Sequence, residues 1–293
     1  GDVIGRVQPE LVIVQGDTTT AFTAALAAYY HRVPVAHVEA GLRTRNPLSP
    51  FPEENHRRMI ATLSTLHFAP SMAARQALRD EAIDDEAIAL TGNTVIDAMQ
   101  WVVANTTNPF TQGGLPSGDD RPYILVTAHR RENFERLHQQ YFSELNALAT
   151  ELAHMQVIFV MHTNPHVRPL AEQGLTAPNI FKVEPLEYAP FIHLLRGASL
   201  IVTDSGGIQE ESAFLGKPAL VMREQTERTE LLDSNIIVVG TQSGRLSAEG
   251  LRLMRDDAYY NQHARASTAY GSGNAAKLIV ERIAQWKRCS AAA

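Results

Sequence analysis

Residues 200–220 read LIVTDSGGIQEESAFLGKPAL, and this stretch decides the fold. Leu200, Ile201 and Val202 form a short apolar run of the length of a buried strand. Asp204-Ser205-Gly206-Gly207 turns the chain, and its glycines remove the Cβ atoms that would keep a ligand off the backbone. The pattern then predicts a helix over 208–215, capped by Ser205 and closed by Gly216 and Pro218. Strand, glycine-rich turn and helix bring free N–H groups and the positive end of a dipole to one point, which suits a phosphate. Glu210 and Glu211 fall on the first turns of that helix, where a carboxylate can accept hydrogen bonds from ribose hydroxyls. DSGG alone is also an ordinary strand-to-helix turn. With the glutamates and the rest of the chain it points to a sugar-nucleotide site.

Outward from this unit, the chain reads as two series of alternating strands and helices. The second series starts with a strand at 123–127 and a long helix over 137–154. Strands follow at 157–161, 180–183, 200–202, 219–222 and 236–239. The first series has strands at 11–14, 34–38, 66–69 and 87–90, with an Ala-rich helix at 20–30 and helices opened by Pro52 and Ser71. Between them, residues 106–120 carry Gly113-Gly114, Pro116 and Gly118, a linker composition. The expected division is therefore 1–105, a linker at 106–120, 121–272, and a final helix within 273–293 that packs back toward the first domain. The chain opens on a helix tail and enters a strand at once, so it is expected to begin inside a domain.

Bulk properties exclude several classes. The chain has 293 residues, enough for two domains, with 44% hydrophobic and 20% charged content, as in water-soluble globular proteins. A net charge of -6 does not fit a nucleic-acid partner. Cys289 stands alone, which rules out a disulfide framework within the chain and fits a reducing cytosol. No apolar run is long enough to span a membrane, and the first residues do not read as a signal peptide.

Chemistry is expected at strand carboxyl ends, where ligands gather in open α/β sheets. Asp17 ends the first strand and Glu39 the second. An Asp there also caps helices, but two acids at neighbouring strand tips weigh more than one. Glu53 and Glu54 open the next helix, where acids equally serve the dipole. Arg57 lies four residues beyond Glu53 and could pair with it. His129 stands at a strand end beside Arg130 and Arg131, a cationic cluster suited to a diphosphate. Residues 223–230, REQTERTE, read as a charged loop at another strand end and bring in Arg223. His162 and His166 are separated by Pro165 and have no clear third ligand, so no metal site is expected. Phosphate-binding P-loops, the GxGxxG fingerprint and the GxSxG elbow are all missing from the sequence. What remains is chemistry by paired carboxylates without a cofactor.

Taken together, the motifs QGDTTTA (15–21), HVEAGLRT (37–44), SPFPEE (49–54), TGNTVID (91–97), TAHRREN (127–133), EPLEYAPF (184–191), TDSGGIQEE (203–211) and LGKPALVMRE (215–224) resemble, in order, those of the non-hydrolysing UDP-N-acetylglucosamine 2-epimerases of bacteria. The resemblance implies an α/β protein of two Rossmann-like domains facing a cleft, the GT-B-like arrangement, with its N-terminal domain incomplete at the start. It implies Asp17, Glu39, Glu53 and His129 as catalytic residues. Arg57, Arg130, Phe191, Ser205, Gly206, Gly207, Glu211 and Arg223 would bind substrate: Phe191 at the uracil, Glu211 at the ribose, and Ser205 with the two glycines at the diphosphate. The implied reaction interconverts UDP-GlcNAc and UDP-ManNAc in a cytoplasmic homodimer that serves polysaccharide synthesis. Its course would be anti elimination of UDP to 2-acetamidoglucal and syn re-addition. Departures from the family pattern are His56, where Asn is usual, Thr229, where Pro is usual, and an Arg-Pro-Glu loop that the chain does not show. Three other readings stand beside this one: an epimerase of a related UDP-diacetamido sugar, a glycosyltransferase of the same fold, and an inactive UDP-binding fragment.

Overall fold

The computed structural model describes residues 1–110, 115–116, 118, 120–128, 136–163, 168–232 and 234–290, the side chains of 136–138 and 290 aside. The chain divides into two compact units, Gly1–Ala98 with Ala269–Ala293, and Met99–Thr268. The expected boundaries at 105 and 272 lie a few residues beyond these.

The first unit starts with α1 (Asp2–Val7), β1 (Val12–Gln15), α2 (Thr19–Tyr30) and β2 (Val35–Val38). It continues with α3 (Glu53–Leu63), β3 (Leu66–Ala69), α4 (Met72–Asp80), β4 (Ile88–Leu90) and the start of α5 (Thr94–Asn105). The four strands lie parallel in the order β1-β2-β3-β4. Period-two alternation sorts the residues of β2 onto two faces. Val35 packs with Val14, Ala21, Ala25, Ala28 and Ile60, on the α2 and α3 side. Ala36 and Val38 pack with Leu66, Phe68 and Ile279 on the other side. A strand covered on both faces must be apolar throughout or satisfy its polar residues internally. His37 and His67, paired across β2 and β3, are the buried polar exceptions here.

Ile279 belongs to the last helix, α12 (Ala275–Ser290), which returns to the first unit. The TGNTVID motif is what fastens it. Asp97 accepts from the amides of Ala275 (3.0 Å) and Ala276 (2.9 Å) and so caps α12 from α5. Gly92, at φ +80°, lies so close to Gly271 that a Cβ would stand 2.8 Å from its Cα.

The second unit holds β5 (Tyr123–Thr127), α6 (Arg136–Glu151), β6 (Gln156–Val160), α7 (Arg168–Gly174), β7 (Ile180–Val183), α8 (Tyr188–Gly197) and β8 (Leu200–Thr203). After these come α9 (Gly206–Phe214), β9 (Ala219–Val221), β10 (Ile236–Val238), α10 (Arg245–Arg255) and α11 (Asp257–His263). All six strands are parallel, in the order β10-β9-β8-β5-β6-β7. Order therefore reverses between β5 and β8, and the carboxyl ends of those two strands flank the switch point of a doubly wound sheet. The core packs α6, α7 and α10 onto one face through Tyr141, Phe142, Leu145, Leu148, Ala171 and Leu253.

Candidate active site: two sets of strand tips

In the second unit, the strands that flank the switch point end in the two motifs singled out from the sequence. Thr127 and Thr203 are register partners, and their hydroxyl oxygens stand 2.7 Å apart. Beyond β5, His129 and Arg130 lie outside the described residues. Beyond β8, Ser205 occupies the N-cap position of α9, but its side chain makes no capping bond. Capping was expected of it. Instead its amide donates to Thr203 Oγ1 at 3.0 Å.

The two glycines that follow have different reasons to be glycine. A Cβ on Gly206 would come within 2.7 Å of the Arg228 guanidinium, so the protein's own arginine demands the small residue. A Cβ on Gly207 would meet no atom of the described residues within 4 Å, which leaves that backbone open to a bound diphosphate. Arg228 is held by Glu210 Oε1 at 2.8 Å and Glu227 Oε1 at 2.6 Å. Arg223 NH1 pairs with Glu227 at 2.9 Å, and Thr226 donates to Gln209 at 2.7 Å. The charged loop expected at this strand end is thus largely internal: Arg223, Thr226, Glu227 and Arg228 are buried. Arg223 is turned into this network. Arg228 and Glu227 were not legible as site residues, although a glycine forced by a neighbour was the trace they left.

The adjacent acids of α9 separate by partner. Glu210 holds Arg228, whereas Glu211 accepts from the Tyr188 hydroxyl at 2.8 Å. Burial pushes the Glu211 carboxyl up to about 7, and the Tyr188 bond pulls the other way. Phe191, half-buried, sits one turn beyond Tyr188 on α8.

In the first unit, β1 and β2 are neighbours with Gln15 opposite Val38, so Gly16-Asp17 and Glu39 leave the sheet side by side. Gly16 has φ +71°, and a Cβ there would stand 3.6 Å from Glu39 Oε2. Glu39 itself has φ 66°, a strained value for a residue with a side chain. Asp17 Oδ2 is paired with Arg57 NH2. Arg57 thus reaches Asp17, and Glu54 at 3.7 Å, where the sequence spacing pointed to Glu53. Glu54 is fully buried and accepts from the amides of Thr44 and Arg45, both at 3.0 Å, and from Arg58 at 3.1 Å. It fastens the loop after Gly41. Glu53, next to it, is half-buried, with no hydrogen bond or ion pair to the described residues, and stays available to chemistry. Asp17, Glu39, Glu53 and Arg57 thus lie on elements of one unit, and Ser205, Gly206, Gly207, Glu211, Phe191 and Arg223 on elements of the other.

Two buried histidines, His37 and His67, lie on β2 and β3. His37 Nε2 donates to Gly16 O at 2.8 Å. Burial lowers His37 to about 3 and His67 to about 4, so both are neutral at physiological pH. Among the described residues, no cluster of three His, Cys, Asp or Glu could hold a metal ion. No described helix is long and apolar enough to cross a membrane.

A doubly wound sheet with an open glycine at a helix N-terminus, in one chain with a second parallel-sheet unit carrying strand-tip acids, defines a nucleotide-binding enzyme of the GT-B-like class. The sequence profile of the family described as UDP-N-acetylglucosamine 2-epimerase matches residues 1–284. The chain is 42% identical over 289 residues to the UDP-N-acetylglucosamine 2-epimerase of Escherichia coli O157:H7, covering 96% of this chain and 77% of that protein. Its fold superposes on the Neisseria meningitidis UDP-GlcNAc 2-epimerase bound to UDP-GlcNAc with a TM-score of 0.92 and 38% identity, covering 97% of this chain and 78% of that one. The Methanocaldococcus jannaschii UDP-GlcNAc 2-epimerase, in complex with UDP-GlcNAc and UDP, gives 0.83 at 30% identity, covering 97% and 78%. The chain belongs to the UDP-N-acetylglucosamine 2-epimerase family.

The different surroundings of Glu53 and Glu54 give a direct test. Glu54→Gln should lower unfolding free energy by about 2–4 kcal/mol, because it breaks a buried, charge-assisted clamp. Glu53→Gln should cost less than about 1 kcal/mol, the worth of an acid at a helix start. Urea unfolding of the two variants decides it.

Proposed function

We propose that the chain interconverts UDP-GlcNAc and UDP-ManNAc by inverting C2 of the sugar. The observation that supports this reading is that Asp17 and Glu39 follow neighbouring parallel strand ends, with the Glu39 carboxylate beside Gly16 and Arg57 gripping Asp17. The C2 proton is too weakly acidic for simple removal and return. Elimination solves this: one carboxylate takes the proton from C2, the C1–O bond breaks, and UDP leaves with its electron pair as the C1=C2 bond of 2-acetamidoglucal forms. Protonation of C2 from the opposite face and return of UDP to C1 complete the inversion. Asp17, Glu39 and Glu53 supply base and acid. The α9 N-terminus, Ser205, Gly206, Gly207 and the basic residues His129, Arg130, Arg223 and Arg228 stabilise the charge on departing UDP. Glu211 takes the ribose hydroxyls and Phe191 the uracil. The reaction needs no metal or cofactor. Kinship with the family carries our further reading of a cytoplasmic homodimer supplying ManNAc units to cell-surface polysaccharides.

Chromatography of UDP-GlcNAc incubated with the protein tests the reading. UDP-ManNAc should accumulate to a fixed ratio reached from either side. Asp17→Asn, Glu39→Gln and Glu53→Gln should each lower kcat by about 100-fold or more while UDP still binds. Full turnover in all three would refute the assignment.

Glu211 gives a pH signature. Its carboxylate form accepts ribose hydroxyls more strongly than its neutral form. With the carboxyl at about 7, UDP affinity should rise up to about tenfold between pH 6 and 8 as Glu211 loses its proton. Calorimetry of Glu211→Gln should show that rise removed.

A further inference from the structure

The Gly16-Asp17 dipeptide is held from two sides by imidazoles. From β2, His37 Nε2 lies 2.8 Å from Gly16 O. From α3, His56 Nδ1 lies 3.0 Å from Asp17 O. His56 is itself fixed by stacking on Phe22 of α2, with ring centroids 5.2 Å apart and planes 12° from parallel. The next residue along α3, Arg57, grips the Asp17 carboxylate. One helix thus holds the backbone of Asp17 with one side chain and its carboxylate with the next, three residues after Glu53. Nothing in the proposed chemistry uses either histidine.

We propose that His37 and His56 are positioning residues for the acid turn, each fixing one carbonyl of Gly16-Asp17 through a ring N–H of opposite tautomer. A carbonyl only accepts, so the facing ring nitrogen must carry the proton. His37 is therefore the Nε2–H form and His56 carries its proton on Nδ1. His37 Nδ1 is buried without a hydrogen bond to the described residues, in keeping with a bare lone pair there. Both bonds act on backbone atoms, so they set where the Asp17 carboxylate stands relative to Glu39 without touching substrate. Displacement of a catalytic group by about 1 Å costs on the order of 100-fold in rate. The inference rests on the epimerase reading for its kinetic part and on geometry for its structural part.

The test uses the full chain and two pairs of variants. Asn places its amide nitrogen the same number of bonds from Cβ as His Nδ1, and Gln does so for His Nε2. His56→Leu and His37→Leu remove the donors; His56→Asn and His37→Gln restore them. The leucine variants should lose about 10- to 100-fold in kcat, with KM for UDP-GlcNAc and UDP affinity changed by less than about threefold. The amide variants should recover to within about threefold of the unmodified rate. Equal loss in the leucine and amide variants, or loss that appears in KM alone, overturns the proposal. Should a leucine variant fail to fold, ¹⁵N NMR of the histidine rings in the unmodified protein decides the matter. Protons on His37 Nε2 and His56 Nδ1 support the clamp, and a proton on His37 Nδ1, or on His56 Nε2 alone, refutes it. An unmodified chain that shows both tautomers but no turnover counts against the epimerase reading and leaves the clamp standing.

Discussion

Parallel strands impose one geometric rule on this chain. Each must be followed by a crossover, so every strand of a sheet delivers its carboxyl end to the same edge, where the following helices begin. Both units obey it. Gly16-Asp17 and Glu39 emerge together because β1 and β2 are parallel neighbours. The glycine-rich start of α9 lies at a switch point because β8 joins β5 instead of β7. Acids on one edge and an anion-binding helix end on another follow from topology before any side chain is chosen. The side chains then decide what these edges do.

Buried charge does much of that deciding. Arg228, Glu210, Glu227 and Arg223 form a network beside the α9 turn, and Glu54 forms another at the start of α3. Such groups are costly to desolvate and are tolerated only when their partners are in place. Here each network fixes a loop that ends at a candidate catalytic or binding residue. A broken partner in either would reach the site through the backbone, much as the two imidazoles hold the Gly16-Asp17 turn.

The fold was legible because its strands are short apolar runs ended by polar turns, and β3, β5 and β7 match their expected spans. The short helix α7 was missed, since seven residues carrying Pro169 give too little period to see. In the site, the strand-tip acids and the open Gly207 could be read locally, because strand ends and helix starts are local features. The roles of Glu53 and Glu54 could not. Both suit a helix start, and only the folded 41–46 loop selects Glu54 as its fastener. The burial of REQTERTE was not legible for the same reason: its charges are neutralised by Glu210 of α9 and by its own Glu227, a pairing that only the fold brings about. His37 was hidden in a strand buried on both faces, where an apolar residue is the rule.

Proton NMR of UDP-GlcNAc incubated with the protein in D₂O reads the central claim most directly, since elimination and re-addition must exchange the C2 proton with solvent. The account predicts deuterium at C2 of the recovered UDP-GlcNAc, together with the anomeric signal of UDP-ManNAc. A protein that binds UDP yet leaves the C2 proton in place over many hours would contradict it.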